Sequence, residues 1–163
     1  MRNGGHGMIN NRSFVNLIIT LALATTVLTL VSCGIEKTEH TAPFGSTITI
    51  NPDSTTTTGA TGACSGIWKD SIFVITVLDP DGDPMNNAVI EITLDWAPNY
   101  AHPVVQAMQL YDGASAVTVP YQATTGEFRT KTVTVRHDIS CAYKGQLEVF
   151  SGSAYAQADI EVN

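Results

Sequence analysis

The sequence predicts an all-β sandwich, and three observations carry that prediction. Past residue 45 no stretch shows the 3.6-residue apolar spacing of a helix. Short alternating or wholly apolar runs recur instead, separated by clusters of Gly, Pro, Asn and Asp. The composition agrees: charged residues make up only 14% of the chain, while Thr, Val, Ala and Gly are plentiful. Residues 46–163 are enough for one domain, and the runs within them give seven to nine strands.

The elements follow in order. A first strand is expected over 46–50, ended by Asn51-Pro52-Asp53. The threonine- and glycine-rich stretch 54–62 reads as a loose edge strand or a loop. The strongest strand is 71–78, with Phe73, Ile75 and Val77 on one face. It ends at Asp79-Pro80-Asp81-Gly82-Asp83-Pro84, residues that fix φ or tolerate positive φ. In the next strand, 88–94, Ala88, Ile90, Ile92 and Leu94 share one face, with Val89, Glu91 and Thr93 on the other. That is the alternation of a half-buried antiparallel strand. A loop over 95–103 follows, then weaker strands at 104–110 and 115–121. Thr125-Gly126-Glu127 leads into a strand at 128–135. A closing hairpin pairs 145–150 with 155–162 across Ser151-Gly152-Ser153.

Ahead of the domain, Arg2 and Arg12 precede an apolar run from 14 to 31, with no acidic residue before Glu36. These are the charged and apolar regions of an export signal. The run ends in Leu30-Val31-Ser32-Cys33-Gly34, which resembles the lipobox of bacterial lipoproteins. By that resemblance 1–32 is a cleaved signal peptide, Cys33 becomes the first mature residue and carries lipid, and 33–45 is a tether. An uncleaved membrane helix is the competing reading, because the run approaches the ~20 apolar residues of a span; its four threonines weaken it. Several acyl chains give stable anchoring where one is marginal. Gly34 stands where an aspartate would usually retain a lipoprotein in the inner membrane. The expected location is therefore the bacterial cell envelope, lipid-anchored, in the outer membrane of a two-membrane cell.

All fifteen acidic residues but only six basic ones lie past Ser32, leaving a formal charge of −9. Such a surface repels phosphates, which disfavours nucleic acid as a partner. It also disfavours direct electrostatic binding to anionic lipid, so the anchor alone is expected to hold the membrane. With Cys33 lipidated, Cys64 and Cys141 remain, and in an oxidising compartment an even count points to one disulfide. A free thiol nucleophile and a pair of metal ligands are the alternatives, the latter lacking His partners at ligand spacing.

The run Ile75-Thr76-Val77-Leu78-Asp79-Pro80-Asp81-Gly82-Asp83-Pro84, followed by Ala88-Val89-Ile90, resembles the start of a bacterial immunoglobulin-like domain of the invasin/intimin type. Such domains run valine-x-valine-x-aspartate-x-x-glycine-x-proline and then enter a second strand. Thr124-Thr125-Gly126-Glu127-Phe128 is similar to a later step of that pattern, and 145–149 with 154–162 to its closing hairpin. The resemblance implies an immunoglobulin-like antiparallel sandwich. In that topology the second and sixth strands run in the same direction on opposite sheets, and Cys64 and Cys141 precede their core positions by similar distances. A Cys64–Cys141 bridge near one rim is the consequence. The family's tandem copies, and a counterpart for 96–120, are missing from this sequence.

Three further groups of residues admit two readings each. Asp79, Asp81 and Asp83 have the spacing of the first ligands of a calcium loop, but Pro84 and Ile90 stand where that loop needs glycine and glutamate. A turn is the simpler explanation; Asp53, Asp95 or Asp112 could assist only if the fold gathered them. Trp96, Tyr100 and His102 share a loop, where aromatics can stack on sugars or grip a partner, or cover the end of the core. Trp68 is expected against the disulfide. Ile72, Val74 and Leu78 make the strong strand apolar on its second face too, either as an interface or, as favoured, because neighbouring loops bury it. His102 and His137 have no partner that sequence identifies. No nucleophile elbow, zincin motif or phosphate-cradling loop occurs. The expectation is a non-catalytic module without cofactors, structural or binding a protein partner in the envelope, the alternative being carbohydrate binding through the loop aromatics.

Overall fold

A computed structural model describes residues 39–59, 62–96 and 107–163. They form ten strands: β1 (Thr47–Asn51), β2 (Ser54–Thr57), β3 (Trp68–Leu78), β4 (Val89–Trp96), β5 (Met108–Asp112), β6 (Ser115–Val117), β7 (Tyr121–Thr124), β8 (Thr130–Asp138), β9 (Tyr143–Ser151) and β10 (Ala154–Val162). One sheet, I, has the order β1-β3-β8-β5-β6; the other, II, has β2-β10-β9-β4-β7. The fold is an all-β, immunoglobulin-like sandwich.

Two departures from expectation have a common cause. The run 115–121 was expected as one strand but forms β6 in sheet I and β7 in sheet II, which raises the count to ten. Pro120, lying between them, has no N–H to donate to a ladder, so the pairing stops there and the chain changes sheet. Pro52 does the same between β1 and β2. The second departure is that β2 runs parallel to β10, with Asp159 opposite Ser54 and Val162 opposite Thr57, whereas the other strand-to-strand pairings among the described residues are antiparallel.

The core is the meeting of the two inner faces. Phe73, Ile75 and Val77 of β3, Val133 and Val135 of β8 and Leu110 of β5 meet Ile90 and Ile92 of β4, Leu147 and Val149 of β9, and Ala158 and Ile160 of β10; all are buried. Their period of two is what the sheet pleat requires. The favoured burial of Ile72 is overturned: it is 61% exposed, while Val74 and Leu78 are half-buried. No layer covers that side of sheet I among the described residues. Phe128 is also not the start of a strand. It stands in the turn before β8, 91% exposed, where Arg129 takes a φ of 62°.

The strand registers define two rims. At the first lie the turns after Leu78, Asp112, Thr124 and Ser151, because Leu78 pairs with Thr47, Thr76 with Thr130 and Ser151 with Ala154. The chain enters here. The His40 amide donates to Asn87 O and Val89 N donates to His40 O, while Ala42 is buried. Part of the segment expected as a tether is thus packed against the domain. The second rim holds the starts of β3 and β9, the end of β4 and Asn163.

Candidate functional site

The second rim is built around a covalent bond. Cys64 and Cys141 form a disulfide, Cα to Cα 4.7 Å, across 77 residues of chain. Beside it, Asp138 ties the loop before β3 to the turn after β8. Its Oδ1 accepts from Ser140 N (2.9 Å) and Ser140 Oγ (2.5 Å), and its Oδ2 from Gly66 N (2.8 Å). Burial alone would push this carboxyl up; the bonds from Ser140, then those from the Gly66 and Ile67 amides, outweigh it and hold it below the ordinary range. Ser65 N adds a bond to Ser140 Oγ at 2.7 Å. Among the described residues, the one cluster of potential metal-ligating atoms is Cys64, Asp138 and Cys141, with ligand atoms within 4.8 Å of one another. Both sulfurs are bound to each other and the carboxylate is taken by amides, so this donor set is a structural staple. Trp68 opens β3 opposite Asp138 and is 38% exposed.

His137 sits next in β8 with its side chain in the core and no exposed surface. Its Nδ1 lies 3.4 Å from Val135 O, and its Nε2 is buried with no protein partner. Burial lowers its pKa. No sequence signal distinguished this histidine, since an inward position on a strand is legible only once the strand's phase is known. Tyr143, also fully buried, donates from its hydroxyl to Ala107 O at 3.1 Å, and burial pushes its pKa up.

Trp96 packs edge-on against Tyr143, with centroids 5.4 Å apart and planes at 77°. The ring therefore helps close the end of the core. Tyr100 and His102 lie outside the described residues, as does Cys33. The three aspartates build a turn. Asp79 Oδ1 accepts from Asp81 N at 3.0 Å and Asp83 N at 2.9 Å, while Gly82 N donates to Asp79 O at 3.0 Å with Gly82 at φ 90°. Neither Asp53, Asp95 nor Asp112 joins them in a ligand cluster. Asp112 instead latches the sheets together: Lys131 Nζ of sheet I approaches its Oδ2 at 2.6 Å and Tyr121 Oη of sheet II donates to the same atom at 2.5 Å. Burial would raise the Asp112 pKa, but those two bonds lower it, and Asp112 in turn raises that of Tyr121.

The two outer faces differ in charge. On sheet II, Glu91, Asp95, Glu148, Asp159 and Glu161 face outward with one cation among the described residues of that face, Lys144, bonded to Glu161 at 2.8 Å. Phe150 and Tyr155 pack together there, ring centroids 5.0 Å apart and planes tilted by 42°. On sheet I the outward rows are Thr49-Thr76-Thr130, then Asn51-Val74-Thr132, then Ile72-Thr134-Tyr111. Below them Asp70 and Arg136 form a two-bond ion pair at 2.8 and 3.1 Å, and Arg136 lies 4.6 Å over the Tyr111 ring. These rows carry no net charge.

No protein-family model matches the chain, and no curated protein matches it. Among solved structures, it overlaps WR4, a C. elegans MSP family member, at TM-score 0.43 and 5% identity, over 71% of this chain and 97% of that one. It also overlaps the ASH/PapD-like domain 7 of human CEP192 at TM-score 0.44 and 9% identity, over 81% and 94%. The S-layer protein SbsC, domains 4 and 5, gives 0.36 and 14%, over 71% and 50%.

Proposed function

We propose that this chain is a lipid-anchored module of the bacterial cell envelope that binds or supports another protein without catalysis. The observation that carries the reading is the outer face of sheet I: three rows of threonine, valine, isoleucine, asparagine and tyrosine with no net charge, the last of them holding an Ile72 that is 61% exposed. On a chain whose formal charge past Ser32 is −9, this is where a partner can be met without burying unpaired carboxylates. Covering Ile72 is worth about 1–2 kcal/mol by its remaining apolar area. The disulfide supports an oxidising compartment, and the lipobox-like Leu30-to-Gly34 run supports the anchor. The carbohydrate reading is left without support at Trp96, whose ring is engaged by Tyr143.

The test is made in the native host. A photoreactive side chain at position 72 is expected to crosslink one protein in stoichiometric amount, and one at position 148, on the acidic face, to crosslink none. Cys33→Ala is expected to release the protein from membranes and abolish acyl labelling. Equal crosslinking from both faces, or none from position 72, overturns the binding face; unchanged membrane attachment of the Cys33 variant overturns the anchor.

A further inference from the structure

Two phenylalanines stand nearly bare at the rim where the chain enters the domain: Phe44 is 92% exposed and Phe128 is 91% exposed. Neither is on a loose end. Phe44 sits between buried Ala42 and buried Ser46, with Ser46 N donating to Pro43 O at 3.1 Å and the Ala42 carbonyl lying against Gly152. Phe128 sits in a turn pinned from inside. Buried Thr125 accepts from Ala88 N at 3.0 Å and donates to Met85 O at 2.9 Å, Asn87 N donates to Gly126 O at 3.1 Å, and Arg129 Nε donates to Asn86 Oδ1 at 3.0 Å. Phe128 lies two residues before Thr130, which pairs with Thr76, and Phe44 lies three residues before Thr47, which pairs with Leu78, so both stand where β3 ends.

We infer that this rim rests on the bilayer, with Phe44 and Phe128 seated at the lipid–water interface. The inference depends on the proposed anchor at Cys33. Seven peptide links separate Cys33 from His40, which is already hydrogen-bonded to the rim, and they span about 25 Å at most. The far rim lies the length of β3 away, eleven residues or about 35 Å. A lipid on Cys33 thus holds the phenylalanine end, and not the disulfide end, near the membrane. Exposed aromatic rings on the surface facing a bilayer partition into its interface. The same rim carries Glu39, Asp79, Asp81, Asp83 and Glu127 against Arg129, so the seat favours a zwitterionic surface over an anionic one.

The native tryptophans make the test direct, because Trp68 and Trp96 both stand at the opposite rim. Full-length acylated protein is reconstituted into phosphatidylcholine vesicles, with or without bromine on the acyl chains, as wild type, Phe44→Trp and Phe128→Trp. Both substitutions replace exposed rings and leave the core untouched. Brominated lipid is expected to quench the new tryptophan in each variant and leave wild-type emission unchanged, with weaker quenching when phosphatidylglycerol is added. Acylated, vesicle-bound variants that show no bromine quenching overturn the inference while leaving the anchor intact. A blue shift insensitive to bromine overturns it too, in favour of a protein contact at this rim. Absence of acyl mass on Cys33 and failure to float with vesicles overturn the anchor, and the inference with it.

Discussion

His137 and Asp138 are neighbours in β8, both buried, with opposite accounts. Asp138 is matched by four donors, two of them from Ser140, and its charge is stabilised by them. His137 has a long Nδ1 contact and an unpartnered Nε2, so burial favours the neutral ring and lowers its pKa; Lys69 adds to the lowering and Asp70 opposes it. The consequence for stability has a definite sign. With the folded pKa below the unfolded one, the unfolded chain takes up a proton first as pH falls through about 6.5. Stability is therefore full above that pH and declines below it, by about 1.4 kcal/mol per pH unit at most, until the folded pKa is reached. In His137→Leu that slope disappears, and since an unsatisfied buried nitrogen is removed, stability at pH 7 is expected to match or exceed wild type by about 1 kcal/mol. Urea unfolding at pH 5, 6 and 7 measures both; an unchanged slope in the variant would sink the account.

At the level of elements, what could be read from sequence was what repeats along one strand. β3 and β4 were legible because Phe73, Ile75 and Val77, and Ala88, Ile90 and Ile92, keep phase over several residues, and one face is buried in each. The break between β6 and β7 had a signal in Pro120, but a switch between sheets is a tertiary event that a local run does not encode. The exposure of Ile72 is hidden in the sequence for a related reason: an apolar second face fits a covered strand and an open one equally well, and only the absence of a covering layer among the described residues decides that it is open. The disulfide was legible by counting, whereas the Asp138 staple beside it depends on amides brought from residues more than seventy positions away. The β9–β10 hairpin illustrates a local signal with a non-local reason. Gly152 takes φ 58°, as a two-residue turn requires, and it also leaves room for the Ala42 carbonyl, which a Cβ would strike. Gly152→Ala is therefore expected to lower stability by about 1–3 kcal/mol, more than left-handed strain alone. Gly82→Ala is the control, since it has the same φ sign and open space around it; equal losses for the two would show that Ala42 contributes nothing.

For the molecule as a whole, the disulfide works on the unfolded chain more than on the folded one. The sandwich is long-range throughout: β1 and β2 hold residues from the start of the domain against β3 and β10, and loop closures of this length carry most of the entropy that folding must offset. A bond across 77 residues removes part of that entropy in advance, about 4.5 kcal/mol in the chain-entropy description. That is a large share of the 5–15 kcal/mol that keeps a domain folded. The native staple persists without it, because Asp138 still accepts from Gly66 and Ser140, and Ile139 N still donates to Ile67 O at 2.7 Å. The domain with both Cys64→Ala and Cys141→Ala is therefore expected to keep its fold but unfold at a lower urea concentration, by a free energy of about 3–5 kcal/mol. Wild-type protein in reductant should shift to the same midpoint, and the double variant should not respond to reductant at all. Coincident midpoints for oxidised wild type and the double variant would mean that the second rim is held by its hydrogen bonds alone, with the sulfur bridge adding nothing to the stability of the sandwich.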